Sequence, residues 1–187
     1  MSARWRRRPQ RPFYKGVIDG LVFMVFLAMV VVSLQRAGLL VPETGRYAAI
    51  DGDSLRRDGS ELRLFGIDAP EYNQSCSNRM GGDYPCGREA QRALARLIAG
   101  VELKCLVHET DRYGRGIATC SAGKLEINAE MVRLGWAVAY RRHGSPYSGV
   151  EAQSRAGTRG IWQGHFDDPE TWREAHRSSL TGAGLGD

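Results

Sequence analysis

The chain has 187 residues, enough for one ordinary domain and an appendage, and about 140 residues can bury a core without metal or disulfides. Its formal net charge is +5, but residues 1–16 hold six basic residues and no acidic one, which leaves 20 basic and 21 acidic residues in the remainder. The remainder therefore has a net charge of −1, which excludes a domain that binds nucleic acid through bulk positive charge.

Residues 17–35 form an apolar run in which Asp19 is the only charged residue. A helix of about 20 such residues crosses a hydrocarbon core of about 30 Å. Because basic flanks stay in the cytoplasm, we predict a basic cytoplasmic arm at 1–16, a transmembrane helix at 17–35 and a linker at 36–46. The protein would then be single-pass in the inner (cytoplasmic) membrane, with its N-terminus in the cytoplasm and its domain periplasmic.

Two other interpretations of the apolar run stay open. One is a cleaved signal peptide, although Gln35 and Arg36 before Ala37 make a poor small-x-small cleavage site. The other is a buried core helix, although this would not explain the basic flank, and the run has no polar stripe.

Four cysteines occur, at Cys76, Cys86, Cys105 and Cys120. No CxxC pair is present, and no histidine lies at zinc spacing from a cysteine pair, which argues against a structural zinc site. An even number in an exported domain favours two disulfides. The midpoint between Cys105 and Cys120 falls in a predicted hairpin turn, which favours that pair and leaves Cys76 with Cys86. The other pairings and four free buried thiols remain alternatives.

The order of predicted elements indicates the fold class. Short alternating segments within 47–67 predict three strands. A helix at 87–99 and strands at 101–107 and 116–122 follow. A helix that runs into a short extended piece is then predicted within 127–140, and a further helix at 150–162. Five strands with a helix between the third and fourth fit a small closed barrel of the OB type, so we predict an α+β fold with about three helices. Residues 166–187 are predicted to be a C-terminal tail, disordered over 180–187.

Four acidic residues lie close together in the sequence around the third predicted strand. Asp51 and Asp53 are two residues apart, so an extended chain points them the same way. Asp68 ends an apolar strand, and Glu71 follows a proline. Oxygen ligands of this kind suit Ca²⁺. The alternative for Asp51 and Asp53 is turn chemistry, because Asp-Gly is a common turn former.

Two arginines, Arg63 and Arg115, are candidates for binding an anion. Arg63 lies within an apolar strand, where a charge is costly unless it meets an anion, and Arg115 follows a turn glycine. Two guanidinium groups can hold a phosphoryl group and stabilise the charge that develops in its transition state. Either arginine alone could instead be a solvated strand residue.

Three segments together resemble the staphylococcal nuclease (thermonuclease) family. They are DGDS at 51–54, RLFGIDAPE at 63–71 and DRYGR at 111–115, and the resemblance extends over roughly 47–165. It implies an OB-fold nuclease domain at 47–165 and a Ca²⁺-dependent phosphodiesterase acting on DNA and RNA. A membrane-anchored or exported bacterial form is the version it suggests.

The resemblance also implies roles for the acidic residues. Asp53 and Asp68 would bind Ca²⁺ with the main-chain carbonyl of Ala69, and Asp51 would lie beside the ion in its outer shell. Glu71 resembles the general base that orients or deprotonates the attacking water.

For the substrate, the resemblance implies that Arg63 and Arg115 clamp the scissile phosphate. Arg112 and Tyr113 match positions that hold the terminal phosphate and nucleotide. Tyr140 matches a base-stacking tyrosine once a one-residue gap is allowed.

Two rival interpretations belong to other classes of protein. One is a catalytically weak nucleic-acid or protein binding module tethered to the membrane, since some relatives of the family have lost catalytic residues. The other is a tethered structural domain whose acids are turn residues and whose arginines are solvated. No protein partner is predicted.

Overall fold

The computed structural model describes residues 13–36, 42–140 and 145–182. The chain divides into two compact units, residues 1–41 and residues 42–187. In chain order the elements are α1 (Phe13–Arg36), β1 (Glu43–Gly45), β2 (Ala48–Ala49), β3 (Ser54–Arg57), β4 (Ser60–Leu64), β5 (Ile67–Asp68), β6 (Cys76–Ser77), β7 (Asp83–Tyr84), α2 (Cys86–Ile98), β8 (Leu103–Thr110), β9 (Gly116–Ala122), β10 (Leu125–Glu126), α3 (Ile127–Arg133), β11 (Val138–Ala139), α4 (Ser148–Ala156), a 3₁₀ turn (Gly160–Gln163) and α5 (Pro169–Gly182).

The first unit contains the single helix α1. Its window Gly16–Ser33 has a mean hydropathy of 2.4, and α1 is the one helix among the described residues long and apolar enough to cross a membrane. None of that window is buried, whereas a core helix would be mostly buried. An apolar N-terminal helix of this kind is either a membrane anchor or a signal sequence.

The second unit is built on a curled sheet with the strand order β1-β8-β9-β4-β3-β2, and β10 pairs with β9. The pairing of β4 with β9 is parallel, and the other pairs are antiparallel. The two ends of this path, β1 and β2, are separated in the chain only by Arg46 and Tyr47. One bent segment therefore pairs with β8 and with β3, so the sheet curls back on itself as in a five-stranded OB barrel. The predicted α+β fold class is confirmed.

The core lies between this sheet and helices α2 and α3. Helix α2 buries a face at i, i+3 and i+4 spacing, which includes Ala90, Ala93 and Leu94. Ile127 and Met131 of α3 are fully buried in the same cluster. Apolar residues at this spacing form one stripe of a helix, which explains why α2 packs on the sheet.

Both disulfides favoured by the sequence are present. Cys105 on β8 faces Cys120 on β9 in register, and the two are bonded. Cys76 on β6 is bonded to Cys86 at the start of α2. The segment between the second pair, predicted as loop, contains the short β6–β7 hairpin.

The segment 127–140, predicted as a helix that runs into a short extended piece, contains α3 and then the short strand β11, whereas the helix predicted over 150–162 ends early. Helix α3 stops at Arg133, because Gly135 adopts a φ of +77° and a Cβ there would lie 2.2 Å from a backbone oxygen. Helix α4 stops at Ala156, and Thr158 has a φ of +49° before the separate 3₁₀ turn. Left-handed residues of this kind end a helix.

The C-terminal tail contains α5, which the sequence pattern did not predict. Asp168 precedes the helix and accepts a hydrogen bond from the backbone N–H of Glu170 at 3.1 Å. Pro169 is its first residue. An aspartate cap followed by proline is a recognised helix start. The helix reaches Gly182, so 180–182 are not disordered as predicted, and 183–187 lie outside the described residues.

Candidate active site

The first predicted motif, DGDS at 51–54, forms a tight turn. The backbone N–H of Asp53 donates to Asp51 Oδ1 at 2.9 Å. A Cβ on Gly52 would lie 2.6 Å from the Cβ of Ala69 and 2.8 Å from that of Ala90, so only glycine fits between them. The turn is thereby pressed onto the segment that follows β5, and Asp53 becomes 2% exposed.

Two buried carboxylates converge on Arg63. Its Nη1 donates to Asp53 Oδ1 at 3.2 Å, and its Nη2 lies 2.9 Å from Asp53 Oδ2 and 2.6 Å from Asp68 Oδ1. The register of β3 and β4, which places Ser54 opposite Arg63, brings the first of these contacts about. Asp68 is held by β5, whose partner β11 pairs Val138 with it.

Burial and opposite charge act against each other in this group. Burial raises the pKa of Asp53 and of Asp68, while the guanidinium of Arg63 acts in the opposite direction. The charge of Asp53 raises the pKa of Arg63, which therefore stays protonated. Buried charges of this kind persist only when they are paired or meet another ion.

Glu71 lies in a turn fastened by the buried Gln74. The backbone N–H of Glu71 donates to Gln74 Oε1 at 3.1 Å, and the backbone N–H of Gln74 donates to the Glu71 carbonyl at 2.7 Å. Gln74 Nε2 also donates to the carbonyl of Asp167 at 2.7 Å, just before α5. The side chain of Glu71 itself is 32% exposed and so can meet solvent.

The DRYGR segment is a turn organised by Asp111. Its Oδ1 accepts from the backbone N–H groups of Tyr113 and Arg115 at 2.9 and 3.0 Å, and its Oδ2 accepts from Arg115 Nε at 2.8 Å. Gly114 provides the left-handed residue with a φ of +84°. Arg112 Nη2 donates to the Tyr113 hydroxyl at 2.8 Å, and its guanidinium lies over the Tyr113 ring.

Arg173, on helix α5, also contacts the carboxylates of Asp68 and Glu71. Arg173 Nη1 donates to Asp68 Oδ1 at 3.0 Å and to Glu71 Oε1 at 2.8 Å, and its Nη2 donates to Asp68 Oδ2 at 2.8 Å. Burial lowers the pKa of Arg173, but the hydrogen bonds to Asp68 and Glu71 outweigh it and raise that pKa. Arg173 was not among the site residues predicted from the sequence. The cap-and-proline start of α5 was the available signal for the helix, but nothing local indicated the ion pair.

Most of the predicted residues line one cleft of about 810 Å³. Its predicted lining residues are Arg63, Glu71, Arg112, Tyr113, Arg115 and Tyr140, and α5 adds Trp172, Arg173, His176 and Arg177. The lining does not include Asp51, Asp53, Asp68 or Ala69. The buried carboxylates therefore meet the cleft through their arginine partners.

The oxygen atoms of Asp53 and Asp68 are the candidate ligands for a metal ion. Within residues 13–36, 42–140 and 145–182, no three His, Cys, Asp or Glu side chains are grouped to hold a metal. The carboxylates of Asp53 and Asp68 do reach the same atom of Arg63, within 2.9 Å. Two carboxylates with a backbone carbonyl and waters are hard oxygen ligands, which fit Ca²⁺.

Comparisons with known proteins identify the family of the chain. A family model described as staphylococcal nuclease homologue matches residues 61–164, more than half of the chain. The chain belongs to the staphylococcal nuclease family.

Individual relatives extend the same finding. Micrococcal nuclease of Shigella flexneri is 31% identical over 148 residues, which cover 70% of this chain and 79% of that protein. Succinoglycan biosynthesis protein ExoI of Rhizobium meliloti (strain 1021) is 34% identical over 130 residues, 68% of each chain. Probable staphylococcal-like nuclease CAN3 of Oryza sativa subsp. japonica is 30% identical over 150 residues, 79% of this chain but only 36% of that protein.

The chain is a nuclease, and nucleic acid is its substrate class. The family match at 61–164 includes Arg63, Glu71 and Arg115 but begins after Asp53. It also ends before α5. Arg173 is thus a feature of this nuclease outside the matched family region.

Proposed function

We propose that this nuclease is a Ca²⁺-dependent phosphodiesterase and endonuclease that hydrolyses DNA and RNA. The observation that supports it most is the meeting of two buried carboxylates at one guanidinium: Arg63 Nη2 lies 2.9 Å from Asp53 Oδ2 and 2.6 Å from Asp68 Oδ1. Arg63 also lines the cleft that Glu71 and Arg115 line. The family resemblance supports the same roles.

Asp53, Asp68 and the carbonyl of Ala69 would hold the ion, with Asp51 beside it in the outer shell. When bound, Ca²⁺ supplies positive charge that offsets the phosphate charge and lowers the pKa of water. Asp53 is already held by the backbone N–H of Ala69 and by the Ser54 hydroxyl, at 3.1 and 2.9 Å. Such contacts keep a ligand oriented when the cation arrives.

Arg63 and Arg115 clamp the scissile phosphate in this proposal. A guanidinium donates two parallel hydrogen bonds to phosphate oxygens, and its charge stabilises the extra negative charge of the five-coordinate phosphorus. Asp111 fixes Arg115 through a bond to Nε, 2.8 Å long. This leaves the geometry of the guanidinium set before the substrate binds, and such preorganisation lowers the barrier.

Glu71 orients the attacking water and accepts its proton. The water oxygen forms a bond to phosphorus, the bond from phosphorus to the 5′ oxygen breaks, and that oxygen takes a proton from solvent. The family resemblance implies that the bond from phosphorus to the 5′ oxygen is the one that breaks, and that the products carry 3′-phosphates. The exposure of the Glu71 carboxylate, 32%, supports access of a water molecule.

Arg112, Tyr113 and Tyr140 bind the rest of the substrate. The exposed ring of Tyr113 and the cleft-lining ring of Tyr140 offer faces on which bases stack, a contact that tolerates any sequence. Arg112 lies beside Tyr113 and can meet a terminal phosphate. In this proposal, stacking that tolerates any base allows the enzyme to act on both DNA and RNA.

We also propose that α1 anchors the nuclease in the cytoplasmic membrane, with the arm 1–16 inside and the domain 47–165 outside. Two disulfides support an oxidising compartment, since they persist outside the cytosol. Cleavage after α1 would release the same enzyme.

The test of activity uses the detergent-solubilised full chain, purified under oxidising conditions. Plasmid DNA and RNA are incubated with Ca²⁺ or with chelator. We expect Ca²⁺-dependent cleavage and a fall in kcat of about 10²- to 10⁴-fold for Glu71→Gln. Arg56→Gln removes an exposed arginine paired with Glu61 and is the matched control. Cleavage that survives the chelator, or wild-type kcat for Glu71→Gln, would overturn the proposal.

Topology is tested separately by fusing a reporter that is active only in the periplasm after residue 45. We expect reporter activity in the membrane fraction. Activity in the soluble periplasmic fraction would indicate cleavage, and a cytoplasmic signal would refute the exported orientation.

A further inference from the structure

Arg173 contacts both Asp68, a proposed metal ligand, and Glu71, the proposed base. It makes three hydrogen bonds between charged groups, two to Asp68 and one to Glu71, at 2.8 to 3.0 Å. Asp68 is 1% exposed and Arg173 is 28% exposed. The guanidinium therefore spans a buried carboxylate and a cleft-facing one.

The oxygens of Asp68 are committed in this arrangement. Oδ1 accepts from Arg63 at 2.6 Å and from Arg173 at 3.0 Å, and Oδ2 accepts from Arg173 at 2.8 Å. A divalent cation needs at least one of these oxygens at short range. A guanidinium on the same oxygens would stand next to that cation, and like charges about 4 Å apart repel strongly in a partly buried site.

The same guanidinium also restrains Glu71. Its Oε1 accepts from Arg173 Nη1 at 2.8 Å, so one of the two oxygens available to a water molecule is engaged. Asp68 and Glu71 are therefore both bound by the guanidinium of Arg173 at the same time.

The base of α5 is fixed, which makes the contact specific rather than a stray surface pairing. Gln74 Nε2 donates to the carbonyl of Asp167, and the backbone N–H of Trp172 donates to the carbonyl of Asp168 at 2.9 Å. Arg173 thus projects from a segment fastened to the Glu71 turn itself. Only its side chain, or the helix beyond the fastened start, has to move to free the carboxylates.

We propose that Arg173 is a tethered counter-cation that holds Asp68 and Glu71 in the metal-free enzyme and is displaced when Ca²⁺ binds. Helix α5 is then a latch: it lowers the apparent affinity for Ca²⁺ and couples metal binding to release of one wall of the cleft. This rests on the Ca²⁺ site of the proposed function. The segment lies outside residues 61–164, which the family model matches.

The test measures Ca²⁺ binding without nucleic acid, so it does not depend on catalysis. Full-length protein in detergent is stripped with chelator, dialysed and titrated with CaCl₂ by calorimetry. We expect Arg173→Gln to lower the Kd for Ca²⁺ about tenfold or more, Arg173→Lys to fall between it and wild type, and Arg56→Gln to match wild type. Asp68→Asn should abolish Ca²⁺ binding both in the otherwise wild-type chain and in Arg173→Gln.

Hydrogen exchange of the backbone amides in 169–182 gives a second readout. In the wild type, saturating Ca²⁺ should speed exchange in this segment. In Arg173→Gln the segment should already exchange at the faster rate, and Ca²⁺ should not change it. If Arg173→Gln does not fold, the Arg173→Lys titration still decides the question: a Kd equal to or higher than that of wild type would overturn the latch.

The outcomes separate the latch from the proposed Ca²⁺ site. Equal Kd values for wild type and Arg173→Gln, with binding that depends on Asp68, would overturn the latch and leave the site. Weaker binding by Arg173→Gln would show that Arg173 supports the metal, which also overturns the latch. No Ca²⁺ binding by any variant would overturn the site on which the latch rests.

Discussion

Gly87 offers a way to move the proposed base without touching its chemistry. It is the second residue of α2, and its backbone N–H donates to the Gln74 carbonyl at 3.2 Å. A Cβ at this position would lie 1.8 Å from the Glu71 carbonyl oxygen, 2.6 Å from its carbon and 2.9 Å from the Tyr72 oxygen. Contacts of Cβ below 3.0 Å essentially do not occur, so Gly87→Ala must shift this backbone by more than 1 Å.

The shift has a calculable effect on both stability and rate. The Cys86–Cys76 bond keeps the start of α2 from simply retreating, so the displacement falls on the Glu71 turn. Overpacking of this kind costs about 1–3 kcal/mol of the free energy of unfolding. A displacement of about 1 Å in a catalytic group costs about 10²-fold. We therefore expect the kcat of Gly87→Ala to fall about 100-fold while every catalytic side chain is retained.

The assay pairs initial cleavage rates on single-stranded DNA, at saturating Ca²⁺, with urea denaturation of the same samples. Gly149→Ala is the matched control, because a Cβ there has nothing within 4 Å and the residue lies in α4. It should keep wild-type kcat and gain up to about 1 kcal/mol from helix propensity. Wild-type kcat for folded Gly87→Ala would refute the reasoning that links this glycine to the position of Glu71.

Three further predictions concern the frame around the site. Asn128→Ala should lower the free energy of unfolding by at least about 2 kcal/mol in urea denaturation, because the buried amide bonds two backbone groups of β9 and the carbonyl of Phe65, just after β4; a change within 0.5 kcal/mol would contradict this. Replacing Cys105 and Cys120 by serine should cost about 3 kcal/mol for a separation of 15 residues, and thermal melting insensitive to reductant would argue against the bond. For Asp111, partial burial raises the pKa, but hydrogen bonds from the backbone and side chain of Arg115 outweigh it, and the pKa lies below its usual value. A lowered folded pKa gives stability above the unfolded value of about 3.9 that is lost as pH falls through the folded value, so Asp111→Asn should be less stable than wild type at pH 7 and equal to it at the acidic end of a pH series of melting curves.

The site was predictable where its parts are local in sequence. The DGDS turn, the end of β5 and the DRYGR turn each carry their chemistry within a few residues, and hairpin register places Ser54 opposite Arg63. Disulfide pairing was predictable for the same reason, since Cys105 and Cys120 lie symmetrically about a hairpin turn. Short-range geometry of strands and turns therefore supplies most of the candidate site.

The unpredicted parts depend on distant contacts. Arg173 is separated from Asp68 by 105 residues, and no periodic pattern in the sequence links a helix to a carboxylate so far away. The end of α3 within 127–140 was not predicted, because apolar spacing continues past Arg133, whereas the backbone turns at Gly135 to meet Arg159 and Gly160. A pattern of side chains does not record where a backbone must turn to pack against a later segment.

The charge distribution of the cleft supports the proposed role of a divalent cation in this nuclease. Five arginines line the cleft, and so do five acidic side chains, so the cleft has no formal excess of positive charge for a phosphodiester. The chain without its basic arm also has no excess of positive charge, since its net charge is −1. A divalent cation adds two positive charges, and if Arg173 then leaves Asp68 and Glu71, its own charge is no longer matched by theirs. Substrate affinity and metal loading would then rise together, because both depend on the same two carboxylates losing their internal partner.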